Sequence, residues 1–257
     1  MSLLRCVTNF RDIGGHPTAS GTRMREGLVF RSGHLANMDE QDRGALEGLG
    51  IRTVIDFRTG ADIATDGGAA LPPSTRRVHA PMGDPAKAPT DLRALLDSAD
   101  PDALSHYLGD GQAVEIMNAA VEALVLEQRE GYARMLRALA EPEGMPAVIH
   151  CSAGKDRTGW GASLLLLIAG VPDATIVAHY VESNVHRVDE NARSLAAVPP
   201  GIDPEWMRPF FEVRAEYAET GLRTLRAHWP DVDAYVVEGL GVESAVLEAL
   251  RDRLLAS

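Results

Sequence analysis

The sequence is short of several things, and each shortage excludes something. It holds two cysteines, Cys6 and Cys151, in 257 residues. A disulfide framework is thereby excluded, and no cysteine or histidine spacing of the metal-binding kind occurs. Positive charge is in deficit, with 25 Lys and Arg against 37 Asp and Glu, for a formal net charge of −12. Such a surface repels nucleic acid and anionic lipid, so an anionic substrate has to be drawn in by a local positive pocket. No apolar run approaches the length of a membrane span, the longest being around 162–171. The start, Met1-Ser2-Leu3-Leu4-Arg5, carries no signal-peptide pattern. A cytoplasmic protein is expected, with export by a route lacking a cleavable signal left open. No metal and no cofactor are expected, and nucleic acid is not an expected partner.

The remaining composition is that of an ordinary globular chain, 45% hydrophobic and 24% charged. Its length suits one large domain or a core with a substantial appendage. The pattern predicts strands at 28–31, 51–57, 77–81 and 147–150, the second by its β-branched alternation. Helices are expected over 39–49, with Asp39 as N-cap and Gly50 as stop, and over 102–108, 112–140 and 157–169. Further helices are expected over 175–191, over 204–228 with interruptions near Pro209 and Gly221, and over 232–240 and 243–255. Residues 60–75, with Gly67-Gly68 and Pro72-Pro73, read as loop. Strands early and again before Cys151, with helices between and after, point to an α/β fold, a core sheet flanked by helices. One domain over 1–257 is expected. Residues 85–130 and 200–230 hold more helix than such a core needs and are expected to form lid-like additions over the site.

The chemistry concentrates in His150-Cys151-Ser152-Ala153-Gly154-Lys155-Asp156-Arg157-Thr158-Gly159. Cleaving a phosphate ester with a thiol needs a thiolate, which positive charge or a helix N-terminus favours. It also needs several donors converging on the phosphate oxygens and an acid for the leaving oxygen. A strand ending at Cys151, a loop over 152–157 and a helix from Arg157 supply these. The loop amides of Ser152, Ala153, Gly154 and Lys155 can form an anion nest. Gly154 permits the backbone turn, and Arg157 adds a planar fork for two oxygens. The Thr158 hydroxyl is placed to stabilise the thiolate. Cys-x5-Arg alone is a weak signal; the flanking strand and helix, His150, Gly154 and Thr158-Gly159 make it specific.

This segment resembles the phosphate loop of the bacterial protein-tyrosine/serine phosphatases, atypical tyrosine phosphatases of which some act on phosphoserine, phosphothreonine or phosphoinositides. Asn9-Phe10-Arg11-Asp12-Ile13-Gly14-Gly15 is similar to that family's N-terminal signature. Phe30-Arg31-Ser32-Gly33, Val54-Ile55-Asp56-Phe57-Arg58, Tyr180 to Asn184 and the ending Leu240-Gly241-Val242 with Leu250-Arg251 also look like it, in the same order. The resemblance covers nearly the whole chain and implies a tyrosine-phosphatase core with added helices. It implies a phosphorylated protein or a phosphoinositide as substrate and phosphate as product.

Cys151 is then the expected nucleophile, passing through a phosphocysteine, and Arg157 the phosphate clamp. Two aspartates compete as general acid: Asp156 inside the loop, and Asp84 beyond the strand that ends near Pro81. The resemblance favours Asp156. Asp84 and Asp12 also stand among the candidate substrate-binding residues. Lys155 either adds charge for a second anion, the role that the resemblance to phosphoinositide-active members implies, or is a solvated lysine. Arg11 and Arg31 either line the pocket rim or join buried ion networks, whereas Asp56 and Arg58 are expected to be structural. His150 is expected to position the loop, and Cys6 to be inert in a flexible start. The competing function is a catalytically weak phosphate-binding module on the same fold. A different enzyme on a Cys-x5-Arg loop, such as a sulfur transferase or arsenate reductase, needs a sulfur donor or a resolving thiol, and Cys6 is the only other cysteine.

Overall fold

The computed structural model describes residues 3–83, 101–200 and 202–256. Its sheet has five strands: β1 (Arg11–Asp12), β2 (Val29–Ser32), β3 (Thr53–Asp56), β4 (Arg76–His79) and β5 (Ala147–His150). They lie in the order β1-β2-β5-β3-β4, with β1 antiparallel to β2 and the other pairs parallel. The central strand β5 is buried along its whole length. Its four residues are all apolar or neutral, as a strand covered on both faces requires. Side-chain alternation splits the three inner strands between two cores. Phe30, Val54 and Val148 pack with Leu35, Leu46 and Ile51 on one face, under helix α1 (Glu40–Gly48). Val29, Ile55, Ala147 and Ile149 join the larger core on the other face. The edge strand β4 is mostly exposed and carries Arg76 and Arg77, charges that discourage further strand pairing.

The helices that follow are α2 (Gly60–Asp66), α3 (Pro101–Leu108), α4 (Gln112–Leu126), α5 (Arg129–Ala140), α6 (Arg157–Ile168) and α7 (Asp173–Val181). A 3-10 turn, Glu182–Arg187, leads into α8 (Val188–Ala196), α9 (Pro204–Phe211) and α10 (Ala215–His228). Val232–Ala234 widens into a π-helix, Tyr235–Gly239, before α11 (Ser244–Leu254) closes the chain. Asp39 caps α1 by accepting from the Asp42 amide, as its sequence position implied. The mixed α/β fold agrees with expectation, and so do most elements.

The differences are local. The long helix expected over 112–140 breaks at Glu127-Gln128 into α4 and α5. The one expected over 175–191 becomes α7, the 3-10 turn and α8; 204–228 divides after Phe211, close to the interruption expected near Pro209, while α10 runs unbroken through Gly221. Residues 60–75, read as loop, contain α2. Its start is a capping box in which Thr59 and Asp62 exchange side-chain-to-backbone bonds, a Thr-x-x-Asp variant of the usual pattern. The N-terminal segment is anchored rather than loose: the Arg5 and Cys6 amides both donate to Asp42, and Leu4 is fully buried. Met24 bridges Leu255, and the Arg25 amide donates to Leu254 O, so the first residues and the last helix are stitched together.

The described parts of the two helix-rich segments share one apolar cluster. It joins Leu104 and Leu108 of α3, Met117 and Val121 of α4, Phe210 of α9 and Tyr217 of α10 to Tyr180 of α7. Gly159 lets α6 approach α7: a Cβ there would lie 2.5 Å from the Tyr180 ring. Gly159→Ala overpacks this crossing. A loss of about 1–3 kcal/mol is expected, visible as a lower midpoint in thermal or denaturant unfolding.

Candidate active site

The central strand delivers His150 to its end, and Cys151 opens the loop that leads into α6. This is the carboxyl end of a parallel strand with neighbours on both sides, where open α/β sheets hold their ligands. Gly154 has φ +70, and a Cβ there would come within 2.3 Å of Ser32 O, so no other residue fits. The carbonyls of the loop are each held from outside. Ser152 O accepts from the His34 amide at 2.9 Å. Ala153 O accepts from Arg187 at 3.0 Å. Gly154 O accepts from Asn9 Nδ2 and from Arg31, both at 2.7 Å. Lys155 O accepts from the same Arg31 nitrogen at 3.3 Å.

In a trans peptide the carbonyl and the following N–H point opposite ways. Carbonyls turned outward therefore turn the amides of residues 153–156 inward. The Gly154 amide shows the result directly, donating to Cys151 Sγ at 3.2 Å. The first turn of α6 has no side-chain cap, which leaves its amides open to an anion at the positive end of the helix.

Arg157 is buried, and one of its terminal nitrogens donates to Asp62 Oδ2 at 2.9 Å, to Met82 O at 3.2 Å and to Phe57 O at 3.4 Å. Tyr132 donates to the Arg157 carbonyl at 3.0 Å. Asp62 is a site residue that sequence reading missed. Its signal was the Thr59-x-x-Asp62 box, which places that carboxylate in the first turn of α2.

The other expected residues divide. Ser152 Oγ donates to Asp66 Oδ2 at 2.7 Å, which ties the loop to the end of α2. Lys155 is not the solvated lysine of one reading; it is buried, with Nζ 2.6 Å from Phe210 O and 3.0 Å from Asp156 Oδ2. Asp156 and Thr158 are also buried, and Asp156 Oδ1 and the Thr158 hydroxyl have no hydrogen-bond partner among the described residues. Asp12 is not brought to the cradle, because its carboxylate accepts from the Gly14 and Gly27 amides and pins that turn. Asp84 lies outside the described residues.

The arginines of the N-terminal blocks are buried and work behind the loop. Arg11 and Arg31 face each other across β1 and β2 and share the Ser183 hydroxyl, at 3.3 and 3.2 Å. Burial pulls Arg31 down to about 10, and burial together with the Arg31 charge pulls Arg11 down to about 8. Arg58 forks onto Asp56 at 2.9 and 2.8 Å. His150 Nδ1 lies 3.2 Å from Cys151 O and its Nε2 3.6 Å from Asp56.

Comparison with known proteins fits this geometry. Residues 3–256 match the tyrosine phosphatase family. The chain belongs to that family, and it is accordingly an enzyme of the phosphatase class. It is 33% identical over 242 residues to a protein of Cupriavidus necator named for tyrosine-protein phosphatase activity, covering 94% of this chain and 84% of that one. It is 29% identical over 271 residues to the triple specificity protein phosphatase PtpB of Mycobacterium tuberculosis, covering 96% of each. A tyrosine-protein phosphatase of Nostoc commune is 28% identical over 245 residues, 93% of this chain and 78% of the other. Among the described residues no helix is long and apolar enough to cross a membrane.

His150 gives this family member a pH-dependent stability. Burial holds its imidazole neutral, down to about 4 from the ordinary 6.5, although Asp56 pulls the other way. The unfolded chain therefore binds a proton that the folded one refuses as pH falls from 6.5 towards 4. Stability is intact above that window and lost through it, by about 3 kcal/mol from this group. Denaturant unfolding at several pH values should show the decline, and His150→Gln should flatten it.

Proposed function

We propose that the chain is a cysteine-dependent phosphomonoesterase that hydrolyses phosphotyrosine through a phosphocysteine intermediate. Cys151 Sγ attacks phosphorus, and the inward amides of residues 153–156 with Arg157 take up the charge on the equatorial oxygens. Asp156 protonates the leaving oxygen and then accepts a proton from the water that cleaves the phosphocysteine. Thr158 stabilises the departing thiolate. The observation that carries this reading is the Gly154 amide at 3.2 Å from Cys151 Sγ, inside a loop whose carbonyls are all turned away. A specificity wider than phosphotyrosine, extending to phosphoserine, phosphothreonine or phosphoinositides, belongs to the same proposal; the Mycobacterium tuberculosis relative, named a triple specificity protein phosphatase, supports the breadth. Asp156 is preferred as the acid because its Oδ1 is buried and unpartnered beside the loop.

Turnover of p-nitrophenyl phosphate with no metal added is the test. Cys151→Ser is expected to lower kcat by on the order of 10⁴-fold or more. Wild-type protein that binds phosphate without turnover would instead make it a binding module. In pH–rate profiles, Asp156→Asn is expected to lose the basic limb and to slow poor leaving groups by about 10²–10⁴-fold. Loss of that limb only in Asp84→Asn would transfer the role.

A further inference from the structure

Lys155 is buried, and its ammonium carries two contacts. One is to Phe210 O at 2.6 Å, at the end of α9; the other is to Asp156 Oδ2 at 3.0 Å. Phe210 is itself buried in the helical cluster, and Tyr217 of α10 fixes the neighbouring Pro209 O at 3.2 Å. The end of α9 is thus a rigid acceptor, held by packing from α4 and α10. It fixes where the lysine head lies, and the lysine head fixes one oxygen of Asp156. The other oxygen, Oδ1, is buried and unpartnered among the described residues.

We propose that Lys155 is the positioning residue for Asp156, set in place by the Phe210 carbonyl, so that Oδ1 is the atom that carries the catalytic proton. This rests on the reading of Asp156 as general acid. In the first step the Cys151 thiolate forms the S–P bond, the P–O ester bond breaks, and the Oδ1 proton goes to the leaving oxygen. Thiophosphate, alcohol and a free carboxylate result. In the second step water attacks phosphorus, the S–P bond breaks, and Oδ1 recovers a proton from that water. Lys155 keeps its protons throughout. With Oδ2 accepting from the ammonium, the plane of the carboxyl is fixed and its proton is carried on Oδ1. A misplacement of about 1 Å at such a group costs on the order of a hundredfold.

The test compares two substrates, p-nitrophenyl phosphate, whose leaving group needs little protonation, and phenyl phosphate, whose leaving group needs it. Lys155→Met is expected to lower kcat on phenyl phosphate by about 10–100-fold and to change kcat on p-nitrophenyl phosphate far less, with KM for both nearly unchanged. Lys155→Arg should recover part of the loss. Phe210→Ala should reproduce the same selective defect, and combining it with Lys155→Met should add little. If Phe210→Ala does not fold, by circular dichroism, Tyr217→Phe loosens the same helix end more gently and should show the defect in smaller measure. Equal slowing of both substrates by Lys155→Met, or additive losses in the double variant, would overturn the proposal. If Asp156→Asn itself shows no dependence on leaving group, the acid assignment fails; a defect in Asp156→Asn without one in Lys155→Met sinks the positioning role alone.

Discussion

The whole site depends on which way a few peptide planes face. A loop that must hold a phosphate needs its amides inward, and each inward amide obliges a carbonyl to face out. An outward carbonyl buried in protein has to find a donor, or the loop turns over to satisfy it. Here the donors are the His34 amide, the Asn9 side chain and two arginines, Arg31 and Arg187. They come from the N-terminal segment, from β2, from the turn after it and from the 3-10 turn after α7. The geometry of the loop is therefore maintained by donors from residues 9–34 and from Arg187, far from it in sequence.

Arginine suits this task for a reason that costs stability. A single guanidinium nitrogen, with two hydrogens, can span adjacent carbonyls, as Arg31 Nη2 does between Gly154 and Lys155. Two arginines directly opposite on paired strands repel, and the value of Arg11, lowered first by burial and then by the Arg31 charge, registers that. Glu182 lies 3.4 Å from Arg11, and the shared Ser183 hydroxyl accepts from both. Arg31 also lies within electrostatic reach of Cys151, so its charge bears on the mouth of the loop as well as on its carbonyls. By contrast, the Asp56–Arg58 pair is closed on itself, and its charge is spent on holding β3 to the end of α2 through Asp66.

Much of this was legible in the sequence, and the rest was hidden for physical reasons. The strand, turn and helix that carry Cys151, Gly154 and Arg157 could be read because they depend on local spacing. The capped helix α1 and the buried strand β5 could be read because cap and burial patterns are local too. The α2 helix was lost because Gly67-Gly68 and two prolines outweighed a Thr-Asp box, and Asp62 was lost with it. Lys155 was misjudged because nothing in its neighbourhood announces a carbonyl 55 residues away. Asp12 sits in a signature block, yet its carboxylate serves a turn at Gly14 and Gly27, a contact invisible without the hairpin.

The stitching of Met24 and Arg25 to Leu254 and Leu255 has a bearing on the order in which the enzyme comes into being. Asn9, Arg31 and His34, which brace the loop, are synthesised before the clasp at Leu254 and Leu255 that secures their hairpin. A chain emerging from the ribosome can fold its sheet early, but its N-terminal block gains its last anchors only when α11 arrives. A helix far from the loop in sequence thus helps to hold the hairpin from which Arg31 reaches the loop carbonyls.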